Sequence, residues 1–223
     1  MLKIAAVTMV KDEADIIEVT LRNMLTIAAN IIVADNLSTD GTPEILRGLE
    51  REFPSRLHVE IDSEPAYYQA RKMSDMIRKA AEWYSPDWII PFDADEMWIV
   101  DKDELSGIPH AVDAVEATVQ QYMLGERVDC QSLPKVIVRG NGLVRVTQGN
   151  HAARRDDGPV RVGLSSAIVK HSPYRSEEQF IRKIRNGSAA YAAGKDIPEQ
   201  YGRHWKFYGT MTDDELRKAW ASL

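Results

Sequence analysis

Three carboxylates occur within four residues at Asp93-Ala94-Asp95-Glu96, directly after the apolar run of residues 88–92. Hard divalent cations such as Mn2+ and Mg2+ bind oxygen ligands, and the small residue between the two aspartates would let both reach one ion at a turn. A diphosphate group would complete the coordination, and the metal would neutralise the charge of that group as it departs. An isolated Asp-x-Asp is in most proteins a pair of solvated loop acids, so the hypothesis depends on where the fold places these residues.

The elements that lead to this motif predict an α/β fold. Apolar runs alternate with amphipathic helical patterns, with strands expected at 4–10, 31–34, 57–61 and 88–92 and helices at 14–28, 42–49 and 66–84. This alternation is typical of βαβ units and of a Rossmann-type, mostly parallel sheet flanked by helices. Ligands of open α/β sheets gather at the carboxyl ends of the strands, so Asp93 and Asp95 should share an edge with Asp35, which ends the second strand.

The second half of the chain has a different pattern and predicts a mixed or antiparallel part. Residues 135–139 and 143–147 flank a Gly-Asn-Gly turn, which indicates a β-hairpin. Thr42 is expected to cap the second helix, and Ser176 and Thr212 to cap the last two. Residues 101–130 are compatible with either a helix or a strand around residues 115–123.

Composition limits the class of protein. A chain of 223 residues with 44% hydrophobic and 28% charged residues fits one globular domain, which we take as residues 1–223. A net charge of -6 argues against nucleic acid as the main partner. No apolar run is long enough to span a bilayer, and the single cysteine, Cys130, allows no intrachain disulfide. We therefore expect a cytoplasmic protein without a transmembrane segment.

Three segments of the first hundred residues resemble, in order and spacing, the family 2 glycosyltransferases. They are residues 10–14 (VKDEA), 32–42 (IVADNLSTDGT) and 87–96 (DWIIPFDADE). Segments around His151, His171 and His204 resemble a bacterial branch of that family. The resemblance implies a GT-A-like fold and the transfer of a sugar, with inversion, from a nucleotide-diphosphate sugar to a saccharide or other hydroxyl acceptor. Residues 1–100 would bind the nucleotide sugar and residues 101–223 the acceptor, and the protein could form a homo-oligomer.

The resemblance also suggests site residues. The nucleotide sugar would contact Thr8, Lys11, Glu13, Asp35, Arg71, Asp93, Ala94 and Arg175. In the family, the residue at Asp35 contacts the base or ribose, and a basic residue near Arg71 lies close to the diphosphate. Several of these residues have simpler explanations: Asp35 could cap its own turn, and Arg175 could pair with Glu177 or Glu178.

A Mn2+ or Mg2+ ion would be bound by Asp93 and Asp95, with His171 as the expected third ligand and His151 and His204 as competitors. Family members place an acidic general base after the middle of the domain, which here suggests Asp156 or Asp157, with His151 as the alternative. Two other functions stay open. One is a catalytically inactive nucleotide- or sugar-binding module, and the other is a sugar-phosphate nucleotidyltransferase, although the glycine-rich loop of that class is absent from residues 7–14.

Overall fold

The computed structural model describes residues 2–195, 197 and 201–222. The strands are β1 (Ile4–Val10), β2 (Asn30–Asp35), β3 (Leu57–Ile61), β4 (Trp88–Pro91), β5 (Glu96–Ile99), β6 (Ala114–Met123), β7 (Glu126–Val128), β8 (Lys135–Arg139), β9 (Arg145–Val146), β10 (Ala153–Arg154) and β11 (Val162–Tyr174). The helices are α1 (Ile17–Ile27), α2 (Thr42–Glu52), α3 (Gln69–Tyr84), α4 (Lys102–Gly107), α5 (Glu177–Ala193), α6 (Arg203–Gly209) and α7 (Asp213–Trp220).

The main sheet has the strand order β3-β2-β1-β4-β8-β6-β11-β5, with β7 paired to β6. The first four strands in this order are parallel, as the βαβ pattern predicts. Beyond β4 the sheet is mixed, because β8 is antiparallel to both of its neighbours and β11 is parallel to β6. The predicted α/β architecture with a mixed carboxyl-terminal part is confirmed.

The pleat of β1 distributes its side chains between two hydrophobic layers. Ile4 and Ala6 join the cluster that contains α1 and α2, whereas Ala5 and Val7 join the cluster that contains α3. Successive side chains of a strand point to opposite faces, so helices on both faces bury both sets. The parallel strands β1, β2 and β4 therefore end at a common edge, with Val10 in register with Asp35.

The predicted hairpin is wrong. Residues 135–139 do form a strand, but β8 lies between β4 and β6, so neither of its edges is open to residues 143–147. Arg145–Val146 pairs instead with Ala153–Arg154 in a separate two-stranded sheet. The turn glycine has another role, because a Cβ on Gly140 would lie 2.0 Å from the carbonyl oxygen of Pro86.

The helix boundaries confirm two of the three predicted caps. The side chains of Ser176 and Thr212 accept hydrogen bonds from the backbone N–H of the third residue of α5 and α7. At Thr212 the side chain of Glu215 in turn accepts from Thr212 N, which completes a capping box. The N-cap of α2 is Gly41 instead of Thr42, which is already helical. In the described part of the chain, no helix is both long and apolar enough to cross a membrane.

The helices α5, α6 and α7 enclose a third hydrophobic cluster around Phe180, Ile184 and Leu216. Trp205 of α6 lies directly on Gly187 of α5, where a Cβ would be 2.6 Å from the Cε3 atom of the indole. At this position α5 requires a residue without a side chain.

Gly187→Ala is therefore expected to destabilise the protein by about 1–3 kcal/mol, since the indole must shift. The matched control is Gly48→Ala in the middle of α2, where nothing lies within 4 Å of the added Cβ. That control should stabilise the protein by roughly 0.5–1 kcal/mol, because alanine is the better helix former. Urea denaturation measures both, and a stabilising Gly187→Ala would contradict the packing of Trp205 on α5.

Candidate active site

A cavity of about 430 Å3 opens at the sheet edge where β1, β2 and β4 end. Its wall includes the loops that follow these strands and residues of β11, α5 and α6. The ionisable groups of the wall include Lys11, Asp12, Glu13, Asp93, Asp95, His171, Lys183 and His204. The structure brings the acidic motif together with other polar groups at this edge of the sheet.

A larger cavity of about 670 Å3 lies elsewhere, between the segment that precedes β4 and the turn that follows β8. It is at the amino-terminal end of β4, and the acidic motif does not contribute to its wall. Ligands of open α/β sheets bind at the carboxyl ends of the strands, so the smaller cavity is the better candidate.

Asp93 is held in a buried polar cluster at one side of the motif. Its Oδ1 accepts hydrogen bonds from Gln69 Nε2 at 3.0 Å and Asn150 Nδ2 at 3.2 Å, and Lys135 Nζ lies 2.5 Å from its Oδ2. The same ammonium lies 2.6 Å from Oε1 of Glu96, which is fully buried. Burial raises the pKa of Glu96 against the opposing effect of Lys135. Lys135 therefore supplies the positive charge that makes the buried carboxylate of Glu96 tolerable beside the half-buried carboxylate of Asp93.

Asp95 forms a second cluster with groups from β11 and α5. One carboxylate oxygen contacts the ammonium of Lys183, and the other lies 3.5 Å from His171 Nε2. Burial alone would raise the pKa of Asp95, but the charges of Lys183 and His171 outweigh burial and lower this pKa well below its usual value. Burial would likewise lower the pKa of His171, and the charge of Asp95 raises it instead.

The orientation of His171 is set by its other ring nitrogen. Nδ1 lies 2.9 Å from Oε1 of Gln121 on the neighbouring strand β6. An amide oxygen only accepts, so this contact places the hydrogen of a neutral imidazole on Nδ1. Nε2, which faces Asp95, then carries the lone pair.

Glu13 connects the loop after β1 to α5 and to the end of β11. Its carboxylate contacts the guanidinium of Arg175, and its Oε1 is 3.3 Å from Lys183 Nζ. Burial raises the pKa of Glu13 in spite of both cations. Arg175 also binds Asp15 at 2.7 Å, so the predicted pairing with Glu177 or Glu178 is replaced by one with the first loop. The guanidinium of Arg175 is engaged in these ion pairs with Glu13 and Asp15, and Arg175 does not line the cavity.

Asp95 and His171 are residue types that bind divalent cations. A carboxylate oxygen is a ligand for Mn2+ or Mg2+, and an imidazole nitrogen suits a transition-metal ion such as Mn2+ better than Mg2+. The contact with the ammonium of Lys183 shows that Asp95 already binds a cation. The predicted set of three is not assembled, because Asp93 is directed to Lys135. Among the described residues, no three His, Cys, Asp or Glu side chains converge closely enough to enclose a metal ion.

Comparison with known proteins identifies the segment that forms this edge. Residues 6–108 match the family model described as glycosyl transferase family 2. Over this segment the chain is similar to glycosyl transferase family 2. The match covers β1 to α4 and includes the acidic motif, so the predicted resemblance is confirmed for the first half of the chain. No curated protein matches the chain.

Solved structures of glycosyltransferases share the fold of the whole chain. The mannosyltransferase PcManGT from Pyrobaculum calidifontis, solved with GDP-Man and Mn2+, is 14% identical over 99% of this chain and 73% of its own, with a TM-score of 0.53. TarS 1-349 of S. aureus, solved with UDP, is also 14% identical over 99% of this chain and 71% of its own, with a TM-score of 0.50. The GT-A-like fold class is thus confirmed.

The residues predicted to bind the nucleotide differ in whether they line the cavity. Lys11 lines the cavity, and its ammonium bridges to the loop after β2 by donating to the carbonyl oxygens of Asn36 and Leu37 at 2.8 and 2.9 Å. Asp35 accepts a hydrogen bond from Ser38 N at 3.3 Å, the turn-capping role that was the alternative. Thr8 is fully buried inside β1 and does not line the cavity.

Ala94, the small residue of the acidic motif, does line the cavity. Its carbonyl oxygen accepts the hydroxyl hydrogen bond of Thr20 at 2.7 Å, which ties the turn between β4 and β5 to α1. The turn that contains the motif is therefore held to α1 by a buried hydrogen bond.

Arg71 lies outside the cavity. Its guanidinium is 4.7 Å from the ring centroid of Tyr68, and it lines a separate depression of about 270 Å3. The buried face of α3, which includes Gln69 and Met73, packs against the sheet. Arg71 is exposed and lies on another face of this helix. A diphosphate contact from Arg71 is not supported by this placement.

The three proposed general bases also lie outside the cavity. Asp156 and Asp157 are exposed and pair with Arg145 and Arg155, next to the small two-stranded sheet. His151 lies closer to the motif, but its Nδ1 is occupied by the carbonyl oxygen of Pro134 at 2.8 Å. Burial lowers the pKa of His151, which lies beside the Asp93 cluster.

Several residues of the cavity were missed by sequence reasoning. Lys183 and Asn186 project from α5, and Asn186 Nδ2 donates to Asp12 Oδ2 at 2.7 Å. Asp12 has a positive φ of 54° and also accepts from Thr39 N at 2.6 Å, so it joins the first two loops. One signal was present: Lys183 follows the buried Phe180 by three residues, which puts a lysine on the inner face of an amphipathic helix.

Proposed function

We propose that this protein transfers a sugar from a nucleotide-diphosphate sugar to a hydroxyl acceptor in the cavity at the carboxyl edge of β1, β2 and β4. The observation that carries the proposal is the placement of Asp93 and Asp95 in this cavity, within a segment similar to glycosyl transferase family 2. Both fold neighbours named above were solved with a nucleotide or a nucleotide sugar, which supports a nucleotide-diphosphate sugar as the donor here.

The loops after β1 and β2 form the nucleotide wall of the proposed site. Lys11 and Asp12 fix these loops to each other through hydrogen bonds, so the wall is organised before a ligand binds. Preorganisation of this kind lowers the entropy cost of binding. Asp35 supports the same wall from below by capping the turn at Ser38.

Asp95 and His171 would hold a Mn2+ or Mg2+ ion. When bound, the metal acts as a Lewis acid that neutralises charge on the nucleotide diphosphate as it leaves. The protein contributes the orientation of the imidazole ligand, through the contact of its Nδ1 with Gln121. Ligand orientation by such outer contacts strengthens metal binding.

The acceptor would enter on the side of α5 and α6. Trp205 and His204 line the cavity there, and their rings are 4.7 Å apart. An aromatic face is a suitable platform for the apolar face of a sugar ring. Inversion at the anomeric carbon requires a base within hydrogen-bond reach of the acceptor hydroxyl. Burial lowers the pKa of His204, so this imidazole is neutral and able to accept a proton near neutral pH.

Incubating the protein with Mn2+ and a panel of UDP- and GDP-sugars tests the proposal, with release of nucleoside diphosphate as the readout. A glycosyltransferase releases the diphosphate, slowly by hydrolysis and faster with an acceptor. An inactive binding module would bind the donor without releasing it. A nucleotidyltransferase would instead make a nucleotide sugar from a nucleoside triphosphate and a sugar phosphate.

The affinity for Mn2+ is expected to depend on the protonation of His171. A metal ligand must be neutral, and the pKa of His171 is raised above 6.5 by Asp95. Mn2+ affinity should therefore fall as the pH drops through that raised pKa. His171→Ala should bind Mn2+ about 10- to 100-fold more weakly and lose this pH dependence. Mn2+ titrations between pH 6 and 9 measure both effects.

The stability of the metal-free protein should show the opposite pH dependence. A histidine with a raised pKa stabilises the fold fully below pH 6.5, and this contribution disappears as the pH rises through the raised value. Metal-free His171→Ala should therefore melt below the parent at low pH and approach it at high pH. His110→Ala, at an exposed histidine, is the control. Unchanged Mn2+ binding in His171→Ala would refute the ligand assignment.

A further inference from the structure

Lys183 has an unusual position for a lysine. Its ammonium lies inside the candidate site between two acidic side chains, in contact with Asp95 Oδ2 and 3.3 Å from Glu13 Oε1. The side chain is only 21% exposed. The segment of α5 that carries Lys183 is held in place, because Phe180 before it and Ile184 after it are buried in the third hydrophobic cluster. Lys183 is thus held in the cavity by the packing of α5.

The ammonium and a divalent cation would compete for Asp95. Lys183 contacts Oδ2, and His171 lies on the other oxygen at 3.5 Å. A divalent ion bound by Asp95 and His171 would be brought close to a like charge in a site where solvent screening is weak. The two cations therefore oppose each other on one carboxylate.

A diphosphate would resolve this competition. Phosphate oxygens are strong acceptors for a lysine ammonium, and α5 already lines the cavity with Lys183, Asn186 and Gly187. The other lysine of the described cavity wall, Lys11, donates to two backbone carbonyl oxygens and so has fewer donors left for a ligand. The flexible stem of Lys183 permits a short movement of its charge while α5 stays in place.

We propose that Lys183 is an exchangeable counter-ion of the active site, which neutralises Asp95 in the free enzyme and moves to the diphosphate when the donor binds. The movement releases Asp95 for the divalent cation. Because each ligand then favours binding of the other, metal and nucleotide bind cooperatively. The inference rests on the proposed function for the identity of the diphosphate ligand.

The test is a titration of Mn2+ alone, without nucleotide, followed by electron paramagnetic resonance of the free ion. Lys183→Met removes the competing charge, so it should bind Mn2+ more tightly than the parent, by about 10-fold for the loss of one close like charge. Arg182→Met is the matched control: it removes the same charge from the preceding residue of α5, where the guanidinium lies 3.8 Å from Asp15. That control should leave Mn2+ affinity within about twofold.

The second part of the test uses UDP and GDP as probes. In the parent protein, the better-bound of the two should raise Mn2+ affinity by about 10-fold or more. In Lys183→Met the same nucleotide should bind more weakly, and its effect on Mn2+ affinity should shrink. Lys183→Gln, which is one atom shorter but keeps a polar, uncharged end, serves as a second variant if the methionine variant folds poorly.

Equal or weaker Mn2+ binding by Lys183→Met and Lys183→Gln would overturn the proposal, as would the absence of Mn2+ binding in every variant. Absence of coupling between nucleotide and Mn2+ in the parent protein would overturn it without any variant. Failure of the proposed function is seen separately, as Mn2+ binding with the expected order of affinities but no release of diphosphate from any donor.

Discussion

Asp95→Asn is expected to lower kcat for donor turnover by about 10^2- to 10^3-fold or more, the usual cost of losing one preorganised electrostatic contact to the transition state. The asparagine keeps the size of the side chain but loses the charge that Lys183 and His171 share. Metal-dependent nucleotide binding should fall with turnover. Release of diphosphate and Mn2+ titration on the same preparation measure the two effects.

The control for this variant is Asp129→Asn, the same chemical change at an exposed position. The stability of Asp95→Asn should also be measured, because the variant leaves Lys183 beside Glu13 alone. The pKa of Asp95 is lowered by folding, so its contribution to stability is present above pH 3.8 and lost as the pH falls through the lowered value. Parent-like turnover in a folded Asp95→Asn protein would refute the metal and diphosphate roles together.

Lys135→Met is expected to be the most destabilising single substitution among those proposed. Lys135 is 4% exposed and is shared by Asp93 and the fully buried Glu96. Removing one partner of a buried ion pair costs about 3–5 kcal/mol, which for a domain of this size lowers Tm by roughly 6 to 20 °C. Urea and thermal denaturation measure the loss, with the exposed Lys218→Met as the control.

The destabilisation caused by Lys135→Met is expected to depend on pH. The pKa of Glu96 is raised by burial even with Lys135 present, and without the ammonium Glu96 should take up a proton more readily. A raised carboxyl pKa favours the folded state at low pH, so the destabilisation should be smaller at pH 5 than at pH 8. Adding Glu96→Gln to Lys135→Met should recover part of the stability. A melting temperature within about one degree of the parent would contradict the buried cluster.

The first half of the fold could be predicted because its signals are local. Residues 4–10 and 57–61 form strands with the predicted bounds, since an apolar run between helical patterns leaves little choice of structure. The position of Asp93 after β4 followed from the same reasoning. The parallel order of the strands places the ends of β1, β2 and β4 at one edge without further information.

The second half could not be predicted in the same way because its pairings join distant segments. A Gly-Asn-Gly turn indicates a hairpin only if both flanking strands have free edges, and the insertion of β8 between β4 and β6 removes them. Likewise, Asp156 and Asp157 were assigned by family position, but the strand pairing of Ala153–Arg154 carries them away from the cavity.

The candidate site likewise contains some residues that could be predicted from the sequence and others that could not. The acids of the motif are adjacent in sequence and were found, whereas the lysines that neutralise them are 42 and 88 residues away. Which basic residue meets which acid depends on the packing of β8 and α5, and no local pattern contains that information. Family position points to Arg71 for the diphosphate and contains no indication of Lys183.

The most direct test of the proposed function is release of nucleoside diphosphate from UDP- and GDP-sugars by the purified protein, with and without Mn2+. We predict that at least one donor yields its diphosphate, that Mn2+ accelerates the release, and that Asp95→Asn slows it by about 10^2-fold or more while Asp129→Asn does not. Absence of diphosphate release from every nucleotide sugar, with the protein folded and Mn2+ present, would contradict the assignment of this cavity as a glycosyltransferase active site.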